Sequence, residues 1–358
     1  MVNLDSIEEI NKFNKGEVYE SIIALPDQVE QAWSEVVKGD IPESCSLVKN
    51  VVIAGMGGSA LGGRVVDSMI QQRSRVPIEV FTEFHIPNYV NSETLVIVSS
   101  YSGNTEETLS DFYEAINKKA TVMAITTGGK LAEKCKEENI PAYIFDPAAN
   151  PSGQPRLALG YSIAAIVGIL TRCSFIHLTN GEMTSLIGKM REYTKRFEAA
   201  VGESENKAKK QARLLAGKLP VLVASEHLIG STHIMKNQLN ETAKTFSVMF
   251  DIPEANHHLM EGLRYPAKVR DLLYFLFIES NNYGDNVKKR YPITREVVEK
   301  NEIKTGIYTT EGATRLEDIF EMLIFSSFVQ FYLAMIYGAD PVAIPWVDYF
   351  KEKLKAKV

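Results

Sequence analysis

The sequence predicts an α/β protein made of two doubly wound parallel sheets, each of five strands. Three observations carry that prediction. Short β-branched apolar runs such as Leu95-Val96-Ile97-Val98 read as strands buried on both faces. Helix-period segments separate them at short spacing, which is the rhythm of strand–helix–strand units. The same order then recurs in the second half of the chain, as a second copy of one fold would.

The chain has 358 residues, which favours two domains. The expected boundary gives units of 1–178 and 179–358. A content of 45% hydrophobic and 23% charged residues is ordinary for a folded chain with a sizeable core. The net charge of −6 argues against non-specific nucleic-acid binding, but not against an anion held by local N–H groups. Met1 to Lys15 is charged throughout and lacks the apolar stretch of a secretory signal. No run of about 18 apolar residues is present, so no membrane span is expected. Cys45, Cys135 and Cys173 are widely spaced, fit no metal motif and point to reduced thiols in a cytoplasmic protein.

Residues 5–37 read as one or two amphipathic helices with a break near Pro26. Val51 to Ala54 is a buried strand. It runs into Gly55-Met56-Gly57-Gly58-Ser59-Ala60-Leu61-Gly62-Gly63, and a helix follows to about Gln72. Glycines there let a backbone approach a ligand closely. Gly55, Gly57 and Ala60 also match the dinucleotide pattern G-x-G-x-x-G/A, but Glu83, the next strand-end acid, comes later than a ribose contact requires. Strands follow at Ile78–Thr82, Thr94–Ser100, Thr121–Thr126 and Ala142–Phe145. Helices fall at Glu106–Lys118 and Lys130–Glu138.

The third strand ends in Ser99-Ser100-Tyr101-Ser102-Gly103-Asn104-Thr105-Glu106-Glu107-Thr108. Ser100, Ser102 and Thr105 put three hydroxyls beside the free N–H groups of a helix's first turn. Such a cup suits a phosphate, because N–H groups and hydroxyls donate and the helix dipole favours negative charge. Ordinary Ser/Thr capping fits the same residues. Both this turn and the glycine turn lie at carboxyl ends of strands, where a parallel sheet forms its ligand crevice. A proline-rich connection, Asp146 to Pro155, then delivers Arg156 to the start of an apolar helix, Leu157–Cys173. A cation opposes the dipole there, so it is either solvated or held for an anionic partner.

In the second half, Glu182–Leu219 reads as a charged helix or helix pair serving as a linker. Strands follow at Pro220–Ser225, Thr245–Phe250, Leu272–Glu279 and Glu302–Thr309, with helices at Thr232–Ala243, His257–Leu263, Val287–Lys300 and Ala313–Tyr337. Ile278-Glu279-Ser280-Asn281-Asn282 stands where the hydroxyl turn should recur, so the copy has lost the phosphate turn. Glu241 follows Gln238-Leu239-Asn240 on a helix, and His257 and His258 follow Pro253-Glu254-Ala255-Asn256. A carboxylate and an imidazole beside a bound sugar make an acid–base pair. A surface glutamate and loop histidines fit the same residues.

Taken together, Gly55 to Ala60, Ser100 to Thr108 and Pro151-Ser152-Gly153-Gln154-Pro155-Arg156 resemble the bifunctional phosphoglucose/phosphomannose isomerase family, over about residues 20 to 355. That family has two sugar isomerase (SIS) domains within the phosphoglucose isomerase superfamily. The resemblance implies interconversion of glucose 6-phosphate and fructose 6-phosphate, and of mannose 6-phosphate, through a cis-enediol. By motif, Gly57, Gly58, Ser59, Ser100, Ser102 and Thr105 would hold the sugar phosphate. Arg156 would stabilise the enediolate, Glu241 would move the proton between C1 and C2, and His257 would open the ring. Lys351 would match the family's C-terminal lysine, although Val342-Ala343 replaces the Thr-Pro pair ahead of it. Tolerance of the mannose epimer is associated with that neighbourhood in the family. The resemblance further implies no cofactor, no metal, no nucleic-acid or membrane partner, and a homodimer whose sites are shared between subunits. The alternatives are a non-catalytic sugar-phosphate sensor, an amino-sugar phosphate isomerase and, on the glycine pattern alone, a nicotinamide dehydrogenase.

Overall fold

The computed structural model describes residues 2–70 and 74–355. Its first sheet contains β1 (Asn50–Gly55), β2 (Ile78–Phe81), β3 (Thr94–Ser99), β4 (Thr121–Thr126) and β5 (Ala142–Ile144). They lie in the order β2-β1-β3-β4-β5, all parallel. The second contains β6 (Leu219–Ala224), β7 (Val248–Asp251), β8 (Leu273–Ser280) and β9 (Lys304–Thr310), in the order β7-β6-β8-β9, also parallel. The second order repeats the first four places of the first, so the expected copy is present.

Among the described residues it has four strands rather than five. After β9 the chain enters one helix of 23 residues, Arg315–Tyr337, and then the short helix Pro345–Lys355. β9 is left as a half-exposed edge that begins at Lys304, and a charged side chain there discourages pairing with another chain. The Arg315–Tyr337 helix is long and apolar enough to cross a bilayer, unlike the expectation from the sequence, but it lies in the protein's core. Phe320, Phe325, Phe328 and Phe331 are all buried. A helix apolar on every face is what a central core position requires.

The amino-terminal segment forms three helices, Ile7–Asn11, Val18–Ile23 and Leu25–Val36, rather than one or two. Gly16 and Glu17, both at positive φ, separate the first two. Pro26 sits in the first turn of the third, where its missing N–H costs nothing. The helix after the glycine turn is described over Gly57–Ile70, and its expected end near Gln72 lies outside the described residues.

Asn180–Phe197 and Lys207–Leu215 form the expected helix pair, but they are not a free linker. Met183, Leu186, Met190 and Phe197 are buried, and the Phe197 ring meets Phe325 at 5.6 Å. Trp33 Nε1 donates to Asn180 Oδ1 at 2.9 Å, so the pair ties the amino-terminal helices to the central helix. The two halves also meet where the helix Ile229–Glu241 crosses Gly57–Ile70. A Cβ on Gly230 would lie 2.4 Å from Arg64 O and 2.5 Å from Val65 Cα, so only glycine allows that approach. Cys45, Cys135 and Cys173 are buried free thiols.

Candidate active site

The register Gly55↔Ser99 sets the glycine turn beside the hydroxyl turn, at the switch point between β1 and β3. Gly57, Gly58 and Ser59 open the helix Gly57–Ile70. Gly57 has φ +50°, and a Cβ there would meet open space. A Cβ on Gly58 would lie 2.9 Å from the Pro155 carbonyl, so its absence lets the Arg156 connection press against the turn. Ser59 Oγ accepts from Tyr101 N at 2.9 Å, locking the two turns together.

Ser100 is buried. Its Oγ donates to Thr105 Oγ1 at 3.1 Å and accepts from Gly103 N at 3.1 Å. Ser102 is exposed, and its Oγ accepts from Asn104 N at 3.3 Å. Thr105 holds the N-cap position of the helix Glu106–Asn117, but its side chain makes no cap hydrogen bond. Side-chain capping by Thr105 is therefore not what these hydroxyls do. A helix N-terminus without a cap keeps its N–H groups and its dipole available to an anion.

Arg156 is almost fully buried, and its guanidinium is held from several sides. Nε donates to Thr242 Oγ1 at 3.2 Å, and one terminal nitrogen to Gln154 Oε1 at 2.8 Å. The other donates to the carbonyls of Pro341 and Val342 at 2.7 and 2.9 Å. Burial lowers its pKa, and Glu241 and Asp340 oppose that.

Glu241 ends the helix Ile229–Glu241. Its Oε2 lies 3.7 Å from the Arg156 guanidinium, close enough for charge pairing but too long for a hydrogen bond. Burial raises the Glu241 pKa, while Arg156, Lys244 and Lys351 pull it down. The carboxylate is thus more basic than an exposed one and not tied down. Gln238 Nε2 donates to Arg156 O at 3.2 Å, so the same helix also fixes the arginine's backbone. Lys244 Nζ donates to Ala343 O at 2.6 Å and also to Glu241 O.

Lys351 sits on the exposed helix Pro345–Lys355, near enough to Glu241 to act on its charge. His257 is exposed in the short turn Glu254–His257. Glu241 precedes β7 in the chain and His257 follows it. The fold gathers Gly57, Gly58, Ser59, Ser100, Ser102, Thr105, Arg156 and Glu241, and among the described residues His257 makes no hydrogen bond or ion pair with any of them. Thr242, Lys244 and the carbonyls of residues 341 and 342 belong to the same neighbourhood but went unrecognised in the sequence. Only the proximity of Thr242 and Lys244 to Glu241 offered a signal.

The fold matches solved structures along nearly its whole length. A hypothetical protein of Thermus thermophilus aligns with a TM-score of 0.75 at 14% identity, covering 98% of this chain and 92% of that one. The C-terminal domain of glucosamine-fructose-6-phosphate aminotransferase from Francisella tularensis aligns with a TM-score of 0.68 at 14% identity, covering 91% and 96%. The fold, with its uncapped hydroxyl turn and a buried arginine facing a half-buried carboxylate, is a two-sheet α/β protein, and the family match makes it one of the SIS type. Residues 204–354 match the family described as bacterial phospho-glucose isomerase C-terminal SIS domain. A bifunctional phosphoglucose/phosphomannose isomerase of Caldicellulosiruptor bescii is 30% identical over 342 residues, 94% of this chain and 98% of that protein. One from Aquifex aeolicus is 29% identical, covering 95% and 98%. The chain belongs to the bifunctional phosphoglucose/phosphomannose isomerase family.

Proposed function

We propose that this chain is an aldose–ketose isomerase that interconverts glucose 6-phosphate and fructose 6-phosphate, and mannose 6-phosphate as well, in the cytoplasm. The observation that carries the reading is the Arg156–Glu241 pair, which joins residues of both halves beside the uncapped hydroxyl turn. Ser59, Ser100, Ser102 and Thr105, with the backbone of Gly57 and Gly58, hold the sugar phosphate. Glu241 takes the proton from one of C1 and C2 and returns it to the other; burial favours a carboxylate of suitable basicity. Arg156 stabilises the enediolate oxygen from a fixed position, without reorganising during the reaction.

Ring opening needs a second acid–base group, and we assign it to His257 of a second subunit, with Lys351 alongside. His257 is exposed and, among the described residues, makes no hydrogen bond or ion pair with Glu241 or Arg156, which supports a homodimer with shared sites. We likewise assign the domain boundary to residues 178/179. These assigned groups supply the base, the ring-opening acid and the cation, so the scheme calls for no cofactor or metal.

The test is an assay that starts from fructose 6-phosphate and follows glucose 6-phosphate and mannose 6-phosphate separately, with and without chelator. Both products should form at rates the chelator leaves unchanged. Failure to form glucose 6-phosphate would sink the reading.

A further inference from the structure

The carbonyls of Pro341, Val342 and Ala343 are consecutive, and each accepts from a cation. Arg156 donates to the first two at 2.7 and 2.9 Å, and Lys244 Nζ donates to the third at 2.6 Å. Asp340 fixes the same turn through its N–H groups. Its Oδ1 accepts from Val342 N at 2.9 Å and from Ala343 N at 3.2 Å. The amino-terminal segment backs the turn. Lys15 Nζ lies 3.7 Å from Asp340 Oδ2, and a Cβ on Gly16 would lie 2.6 Å from Val342 Cγ2, so glycine lets the two segments close. Two residues after Ala343 the helix Pro345–Lys355 begins. None of its residues is buried, and among the described residues its side chains make no hydrogen bond or ion pair with the rest of the chain. The turn 340–343 thus sets the start of the helix that carries Lys351.

Lys244 reaches this turn from the helix that carries Glu241. It follows Glu241 by three residues, and its Nζ also donates to Glu241 O, the last carbonyl of that helix. A cation there faces the negative end of the helix dipole. Its backbone holds φ +54°, a conformation that is uncommon for a residue with a Cβ and persists where surrounding contacts hold it. Capping the helix needs only the bond to Glu241 O; the bond to Ala343 O is additional. One ammonium therefore joins the piece of chain that supplies the carboxylate to the piece that supplies the acceptors of Arg156.

We infer that Lys244 is a positioning residue of the site, clamping the Glu241 end of its helix to the turn 340–343 that anchors Arg156. The inference rests on the isomerase reading above and deepens it. Arg156 and Glu241 stand 3.7 Å apart, and no hydrogen bond between them maintains that gap. Lys244 maintains it by holding both sides. Its charge acts as well as its bonds. Arg156, Lys244 and Lys351 are the cations that lower the Glu241 pKa against burial. Asp340 and Glu241 in turn favour the charged form of Lys244 against burial and Arg156. Removing Lys244 therefore raises the Glu241 pKa, so the carboxylate is protonated, and lost as a base, at a higher pH.

Variants of the full-length protein test the clamp. Lys244→Met keeps the stem and loses the charge and both bonds. Its kcat from fructose 6-phosphate should fall about tenfold, and the acid limb of the kcat profile should move to higher pH. KM should stay within about twofold, because Ser59 and Tyr101 tie the phosphate turn independently of Lys244. Lys244→Arg should bring kcat back to within about threefold of the parent and restore the limb. Asp340→Ala loosens the same turn from its other side. Combined with Lys244→Met it should lose little more than the worse single variant, since both act through one turn. Parent-like kcat in Lys244→Met would overturn the clamp, as would a loss confined to KM or an acid limb that does not move. Losses that multiply in the double variant would do the same. So would lower thermal stability with unchanged turnover per folded molecule, which is the signature of a plain helix cap. Amide exchange adds a readout that needs no activity: over residues 340–355 it should speed up at least about threefold in Lys244→Met and return to the parent rate in Lys244→Arg. A parent that forms no glucose 6-phosphate would sink the isomerase reading, and exchange alone would then judge the clamp. Unchanged exchange would remove the clamp whatever the kinetics.

Discussion

β3 and β8 hold the same place in their two sheets, yet their carboxyl ends are finished in opposite ways. Beyond β3, Thr105 leaves the next helix uncapped, and Ser100 spends its bonds within the turn. Beyond β8, the chain supplies its own anions. Asp318 Oδ2 accepts from Ser280 Oγ at 2.6 Å and Asn282 Nδ2 at 2.8 Å, and lies 3.1 Å from His227 Nε2. Glu226 accepts from Gly284 N at 3.1 Å, at the start of the short helix after β8, and from Arg315 at 2.7 Å. One end keeps donors for a ligand, and the other satisfies them with internal carboxylates. A duplicated frame thus retains one binding end, while the second copy turns its own end into structure.

If that contrast is right, changes at the open end and its partner residues cost activity, and changes at the closed end cost stability. The largest expected effect is at Glu241. Glu241→Gln should keep the fold and the apparent substrate affinity while turnover falls at least ~10³-fold, about 4 kcal/mol of barrier. Steady-state kinetics from both the aldose and the ketose side measure it. Turnover within tenfold of the parent would take Glu241 out of the proton transfer.

The mirror experiment removes the internal anion. Asp318→Ala leaves Ser280, Asn282 and His227 without their acceptor in a buried place, which should cost about 2–4 kcal/mol. Denaturant unfolding would report that loss. Turnover per folded molecule should stay within about twofold, because among the described residues Asp318 makes no hydrogen bond or ion pair with Arg156, Glu241 or the hydroxyl turn. A large fall in turnover at unchanged stability would mean that the closed end takes part in the chemistry.

Smaller again are the hydroxyls of the open end. Ser100→Ala and Thr105→Ala should each weaken sugar-phosphate binding by about 1–2 kcal/mol, the size of a lost hydrogen bond to a charged group. Inorganic phosphate should compete with the substrate in the parent. Parent-like affinity in both variants would return Ser100 and Thr105 to a purely local part in the turn.

Much of this could be read from the residues in order. β-branched runs bounded by glycine and serine marked most strands to within a residue or two, because parallel strands buried on both faces have few other compositions, whereas β7 begins at Val248, three residues after its expected start at Thr245. Arg156 was visible as an oddity, a cation at the start of an apolar helix. Its anchors were not, since the carbonyls of Pro341 and Val342 carry no side-chain signature and lie far along the chain. Asp318 was likewise hidden. It is one of two adjacent acids, with Glu317, in the first turn of a long helix, where dipole preference already explains both. Among the described residues no fifth strand follows β9 in the second sheet; the chain continues there as the helices Arg315–Tyr337 and Pro345–Lys355.

An effect of similar size separates two buried carboxylates. Burial alone would raise the pKa of Asp318, but donors from His227, Ser280 and Asn282 outweigh it and hold the group below the usual range. Asp111 lies on the helix Glu106–Asn117 that forms the open end, and its Oδ1 finds no partner. Burial, with Glu114 and Glu107 adding to it and His85 opposing, pushes Asp111 up to about 7. Between the ordinary value of 3.8 and about 7, the folded chain keeps a proton that the unfolded chain has lost. Stability therefore falls as pH rises through that window, and the full deficit is present above it. Asp111→Asn removes the charge and keeps the shape. It should stabilise the protein by about 1–2 kcal/mol at pH 8, with the gain shrinking toward zero near pH 4. Asp318→Asn should do the reverse, costing most at pH 8 and least in acid. Thermal unfolding of both variants across that range decides the matter. A stability gain in Asp111→Asn that does not depend on pH would show that its carboxylate is not the buried, unpaired charge described here.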